Sequence, residues 1–452
     1  MAANTGEAAV LAIRSDVDVD LPEGASYARL PAMLREGKVD EATIDAAVSR
    51  VLTLKFEAGL FEHPYADPAR AARVLNDPAG PVLARRLAER SLVLLKNDGI
   101  LPLDPKRATR IALIGPNSRE ALRGGYSGEP THAVGILEGL RAGAGKSVVI
   151  EQTDGVWINM PGVGAPETVP IRPVPAADNQ RRIAEAVALA RRSDIVILCV
   201  GDTEATTREA VVPMLPGDRR TLNLFGDQDA LVKAVLDCGK PVVGILINGR
   251  PLIVDELAKG ASALMVAWYP GEQGGQAIAD GLFGRVNPGG KLPVTFPASV
   301  GELPDWYNHQ PSADKVPYIE GKRTPAFPFG FGLSYTSFDI SEPRLAKSSI
   351  GQMETVRVEV DVTNSGGRDG DEVVQIYVRD MVASVPRPVL ELKAFRRVTL
   401  RKGERRTVSF DLTPDAFAFW DKGMNWRVEP GEFTIFAGNS SANLKSARLT
   451  VA

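Results

Sequence analysis

Apolar and polar positions change rhythm several times along the chain. Over EATIDAAVSRVLTLKFEAGLF, Ile44, Ala47, Val48, Val51, Leu52 and Leu54 recur mainly at the i, i+3, i+4, i+7 spacing of a one-faced helix. Before it, SYARLPAMLREG predicts another helix and VDVDLP a short alternating strand. One strand and two or three helices bury little core alone, so residues 1–60 read as the end of something larger. Residues 61–84 carry prolines and little apolar periodicity, and read as a linker.

Residues 85–310 alternate buried-strand runs, IALIG (111–115), IVILCVG (195–201), PVVGILING (241–249) and ALMVAWYPG (263–271), with the helical patterns QRRIAEAVALARRS, DQDALVKAVLDCG and EQGGQAIADGLFG. That order predicts an α/β/α sandwich on a mostly parallel sheet, with ligands at the loops after the carboxyl ends of the strands. Residues 311–340, rich in Pro, Gly and aromatics, read as a connecting segment that packs on its neighbours. In residues 341–452 the period becomes two: VRVEVDVTNSG, DEVVQIYVRD, RRTVSFDL and EFTIFAG predict an antiparallel β-sandwich of immunoglobulin or fibronectin type III shape.

Two loops carry candidate chemistry. Gly201–Ala210 follows the strand ending at Val200 and holds Asp202, Glu204, Arg208 and Glu209. A carboxylic acid beside apolar walls or a second carboxylate has a raised pKa and can donate a proton near neutral pH, although solvated loop charges are the plainer reading of composition alone. In Arg123–Pro130 glycines allow close backbone approach and Tyr126 can stack on a sugar ring; a surface turn accounts for it equally well. Gly143–Ser147 resembles a phosphate loop, but Leu140 stands where the first glycine belongs and a strand follows where a helix is required. His63, His132 and His309 match no metal spacing, and Cys199 and Cys238 sit in apolar patterns that predict buried thiols. A net charge of −3 excludes a generally basic nucleic-acid or membrane-surface binder, and no apolar run reaches the ~18 residues of a membrane span. The opening residues carry neither a basic nor an apolar leader region, so no signal peptide reads in them.

Longer motifs then appear in a fixed order. Ala88–Leu103 (AERSLVLLKNDGILPL), Gly124-Gly-Tyr-Ser-Gly128, Gly249-Arg-Pro251, Gly271-Glu272, Asn287–Pro293 (NPGGKLP) and Phe327–Thr336 (FPFGFGLSYT) resemble glycoside hydrolase family 3. Arg387–Lys393 and Glu429–Glu432 are similar to that family's fibronectin type III-like domain, so the resemblance covers essentially the whole chain.

The resemblance implies a (β/α) barrel, of which residues 1–60 are the C-terminal remnant, followed by an α/β sandwich and a fibronectin type III-like domain. It implies exo-acting hydrolysis of β-glucosides or β-xylosides with retention, which needs two carboxyl groups about 5 Å apart. The family's acid/base is a Glu from the sandwich; Glu209 is the first choice and Glu204 the second, with Tyr126 and Arg208 as substrate-binding candidates. Its nucleophile is an Asp in a Ser-Asp-Trp or Ser-Asp-Tyr context on a late barrel strand. Neither tripeptide occurs here, so the nucleophile is expected outside the chain, and the chain is expected to be weakly active or inactive alone. Asp18 and Asp20 match positions near that strand that are not the nucleophile, and Asp16 stands where Gly is usual. A non-catalytic carbohydrate-binding or partner-binding protein is the alternative. Expected partners are a β-linked oligosaccharide or aryl glycoside and a barrel half or second copy, with no nucleic acid, membrane, metal or organic cofactor.

Overall fold

The structure, a computed structural model, describes residues 2–106, 109–125, 127–128, 130, 132–160, 171–209, 217–311, 318–319, 321 and 323–452. They form two compact units, Met1–Gly80 and Pro81–Ala452. In the first, helices α1 (Thr5–Arg14), α2 (Leu30–Arg35) and α3 (Glu41–Glu57) gather around Ala9, Val10, Ile13, Leu30, Val39 and Ala47. Side chains of Asn4 and Asp40 accept the N–H groups of Glu7 (2.9 Å) and Thr43 (2.7 Å), which starts α1 and α3. The expected face of α3 is only partly buried: Ala47 is covered, whereas Val48 and Leu52 are 49% and 42% exposed.

Two expectations change here. VDVDLP is not a strand, because its carboxylates are used locally: Asp18 pairs with Arg50 (2.7 Å), and Asp20 accepts the N–H of Ser26 (2.8 Å). The segment read as a linker contains α4 (Pro68–Leu75) and the start of α5 (Ala79–Ser91). Asp67 caps α4 by accepting the Ala69 N–H (2.9 Å), and Pro68 occupies its first turn.

The second unit opens with β1 (Val93–Asn97) and β2 (Arg110–Ile114), then α6 (Ile136–Ala144), β3 (Val149–Thr153) and α7 (Ala176–Arg191). There follow β4 (Ile195–Gly201), the single turn α8 (Glu204–Thr207), α9 (Gln228–Leu236) and β5 (Val242–Ile247). Then come α10 (Asp255–Gly260), β6 (Ala263–Val266) and α11 (Gly274–Leu282). The sheet runs β1-β6-β5-β4-β2-β3, parallel except for β1. Alternate residues serve opposite cores. Ala112, Ile114, Leu198 and Val200 meet Leu189 of α7 and Leu231 and Val235 of α9, while Ile111, Leu113, Ile197 and Cys199 meet Leu140 of α6 and Ile278 and Leu282 of α11. Burial on both faces is why these strands read as unbroken apolar runs. The phosphate-loop lookalike is the carboxyl end of α6, capped by Gly145 and leading into β3. Both cysteines are free; Cys199 is buried, which pushes its thiol pKa up, and Cys238 is half-buried.

The C-terminal sandwich has two sheets. One orders β13 (Arg405–Leu412), β10 (Val356–Asn364) and β7 (Phe338–Ile340), with β8 (Arg344–Leu345) also on β10. The other orders β12 (Glu391–Leu400), β11 (Gly370–Asp380), β16 (Gly431–Ser440), β17 (Asn443–Val451) and β9 (Ser349–Ile350). A hairpin of β14 (Phe419–Trp420) and β15 (Trp426–Arg427) stands beside them. The inner face is period-two, as with Val356, Val358, Val360 and Val362. The NPGGKLP motif docks the sandwich on the α/β domain: Asn287 donates to the Asp369 carbonyl (2.9 Å), Lys291 pairs with Glu372 (2.7 Å), and the Gly289 carbonyl accepts from Arg397 (2.9 Å).

Asp361, on β10, accepts from Arg344 (2.6 Å), Arg405 (2.6 Å) and Thr407 (2.6 Å). The Arg344 hydrogen bond, with those of Thr407 and Arg405, holds its carboxyl far below the usual range. A depressed native pKa means the stabilisation is present above the unfolded value near 3.8 and fades as the pH falls through the native value. Asp361→Asn should therefore lower sandwich stability at pH 7 by about 1.5–3 kcal/mol. In thermal unfolding the gap to wild type should narrow steadily below about pH 4; a gap that widens there contradicts this assignment.

Candidate active site

In the sheet β2 lies between β3 and β4, so the connections leaving β2 and β4 run opposite ways and open a crevice between their carboxyl ends. Ligands of open α/β sheets bind at such a point. The strand ends come close because Gly115 (φ +123°) and Gly201 (φ +144°) lack a side chain; a Cβ at either would lie 1.9 Å from the carbonyl oxygen of Cys199 or Ile247. Fully buried Gln228 fixes Gly201 from the side: its amide donates to the Gly201 carbonyl (2.8 Å) and accepts the Gly201 N–H (2.9 Å).

The acidic loop after β4 separates its carboxylates by task. Asp202 is fully buried, and its Oδ1 takes hydrogen bonds from Arg219 (3.0 Å) and Thr206 (3.3 Å). Its Oδ2 has no hydrogen-bond partner among the described residues. Burial pushes the Asp202 carboxyl above the ordinary carboxylate range, against the opposing charges of Arg219 and Arg250. Glu204, at the start of α8, points to backbone: its Oε1 accepts the N–H groups of Arg123 (3.3 Å) and Gly124 (3.2 Å). The two loops singled out in the sequence are thus joined. Arg208 is half-buried, and its carbonyl accepts the Asp218 N–H (3.1 Å). Glu209 is exposed. Tyr126 lies outside the described residues.

Residues that sequence reasoning passed over hold these loops. Tyr269 donates or accepts at Thr207 Oγ1 (3.0 Å), and a Cβ on Gly249 or Gly124 would approach its ring to 2.8 or 3.2 Å. The Gly-Arg-Pro motif and the glycine-rich loop therefore both pack on this one ring. Arg250 reaches the Thr206 carbonyl (3.4 Å), and Arg219 bonds the Asn223 carbonyl besides Asp202. Asp202 and Arg219 thereby close the neck of the loop that carries Glu209. Beside it opens a cleft of about 380 Å³, lined in part by Asn117, Asp154, Trp157 and Thr203. No group of His, Cys, Asp and Glu that could hold a metal occurs among the described residues.

An α/β domain with a loaded switch-point loop, carrying a fibronectin-like sandwich, defines a class, and comparison with known proteins places the chain within it. Residues 92–335, more than half the chain, match the glycosyl hydrolase family 3 C-terminal domain, and residues 372–441 match the fibronectin type III-like domain. The chain belongs to glycosyl hydrolase family 3. It is 39% identical to a β-xylosidase of Formosa agariphila over 100% of this chain and 62% of that protein. It is 36% identical to a periplasmic β-glucosidase of Salmonella typhimurium over 98% of this chain and 60% of that one. A solved β-glucosidase from Erythrobacter marinus superposes with a TM-score of 0.91 at 42% identity, over 100% of this chain and 61% of that one. A Listeria innocua β-glucosidase in complex with glucose gives 0.83 at 33%, over 100% and 60%. The chain thus spans about 60% of the length of these relatives.

Proposed function

We propose that these residues carry the acid/base half of a retaining, exo-acting β-glycosidase site of the β-glucosidase or β-xylosidase type, with Glu209 as the acid/base. The observation that carries the reading is the division of labour after β4. Asp202 is committed to Arg219 and Glu204 to two backbone amides, which leaves Glu209 with its carboxyl open to a ligand. The names of the relatives, β-glucosidases and a β-xylosidase, support the substrate class. An Asp outside these 452 residues attacks the anomeric carbon while Glu209 gives its proton to the departing oxygen. Glu209, now a carboxylate, takes a proton from water, which attacks the glycosyl-enzyme and frees the Asp. Arg208 lies beside this group as a contact for substrate.

The test is to assay the purified, folded chain on aryl β-glucoside and aryl β-xyloside, alone and mixed with the barrel half of a relative. Little or no turnover alone and recovered turnover in the mixture is expected. Sugar binding without recovery supports a binding module instead. Turnover by the chain alone that survives rigorous purification puts the nucleophile within it, with Asp16, Asp18 and Asp20 the first to replace; Asp18 is already held by Arg50, which lowers its pKa.

A further inference from the structure

The 380 Å³ cleft beside α8 is lined by side chains of three strand-end loops. Asn117, Arg119 and Glu120 come from the loop after β2, Asp154 and Trp157 from the loop after β3, and Thr203 from the N-cap of α8, after β4. Trp157, half-buried, is held at its ring and at its backbone. Its indole N–H donates to Asp154 Oδ2 (3.2 Å), its backbone N–H donates to Asn179 (2.9 Å), and the Arg182 guanidinium lies 3.4 Å from its ring centroid. Asp154 is oriented in turn by Gln152 (2.8 Å), whose amide also bonds Ser118 (3.0 Å) and Arg119. Such ordering of an aromatic wall is the preorganisation a ligand site requires.

The chemistry of the wall selects the ligand. One rigid indole offers a surface for the C–H face of a ring. Asp154 and Thr203 offer hydroxyl-bonding groups; behind them Asn117 is buried, its amide N–H donated to the Asp202 carbonyl (2.8 Å) and its Oδ1 without a partner among the described residues. Arg119 sits with two carboxylates, Glu120 and Asp154, so a phosphorylated or acidic ligand meets like charge. A neutral, polyhydroxylated ring fits.

We propose that this pocket binds a neutral hexosyl or pentosyl unit, whatever the role of Glu209.

The experiment is calorimetric titration of the 452-residue chain with cellotriose and with xylotriose, followed in parallel by tryptophan fluorescence. Binding of at least one trisaccharide is expected, weakened tenfold or more by Trp157→Ala, severalfold by Arg119→Ala at an exposed position, and little by Trp157→Phe, which keeps a ring. The titration reads binding and not turnover, so the pocket stands even if Glu209 is not the acid/base. No binding of either sugar by the folded chain overturns the proposal. So does binding that survives both Trp157→Ala and Arg119→Ala.

Discussion

Replacing Glu209 by alanine should reduce turnover of a β-linked disaccharide by about 10²–10⁴-fold in the chain assembled with a nucleophile-bearing barrel. A sugar leaving group departs as a poor alkoxide and needs its proton. A dinitrophenyl leaving group departs unaided, so glycosylation by that substrate should fall far less. Glu204→Gln is the matched control. It keeps an oxygen where Glu204 accepts the Arg123 and Gly124 N–H groups, so turnover should stay close to wild type. Glu204→Ala removes that acceptor and should act through the glycine-rich loop, lowering activity on both substrates alike. A leaving-group-dependent loss in Glu204→Gln, with Glu209→Ala unaffected, would exchange the roles.

The second large effect is expected at the loop's neck. Arg219→Ala leaves Asp202 buried without its cation, and breaking a buried pair from one side costs about 3–5 kcal/mol. Amide exchange at residues 202–209 should speed up along with the drop in melting temperature. Asp202→Asn, which still accepts from Arg219, should be milder. The pH dependence has the opposite sign to that of Asp361. Burial raises the native pKa of Asp202 above its unfolded value near 3.8, so the folded state holds the proton more tightly and stability falls as pH rises through the interval between them. Arg219 opposes that shift, so its removal widens the interval. The deficit of Arg219→Ala relative to wild type should grow from pH 4 towards pH 7; a deficit that shrinks over that range would contradict the pairing.

How much was legible in the sequence follows from where each interaction lies along the chain. β2, β4, β5 and β6 read clearly because both faces of a parallel strand are buried, and the inner strands of the sandwich read through their alternation. β1 did not, since it pairs antiparallel at the sheet edge and ends in Lys96 and Asn97. VDVDLP alternates like a strand, but alternation records side-chain direction, not pairing, and its aspartates bond Arg50 and the Ser26 N–H instead. α4 carried its start signal, Asp67-Pro68, yet its Val74 and Leu75 are exposed, so no buried stripe marked it.

The acidic loop could be located as a strand-end loop with several carboxylates. Which carboxylate was structural could not, because the amides that hold Glu204 lie about eighty residues upstream, and Arg219 reaches Asp202 across an intervening loop. Trp157 and Tyr269 gave no local signal for the same reason: their partners, Arg182 and Gly124, are near them only in the folded chain. The motifs that carried the resemblance did so through such contacts. Gly249-Arg250 packs and bonds against the loop of Glu209, and NPGGKLP fastens the sandwich.

The most direct test of Glu209 is chemical rescue. In the Glu209→Ala chain, assembled with a barrel half and given an activated aryl glycoside, azide can enter the space left by the carboxylate and attack the glycosyl-enzyme without base assistance. The account predicts a faster steady-state rate and a β-configured glycosyl azide in this variant and not in Glu204→Ala. Azide product from Glu204→Ala, and none from Glu209→Ala, would contradict it.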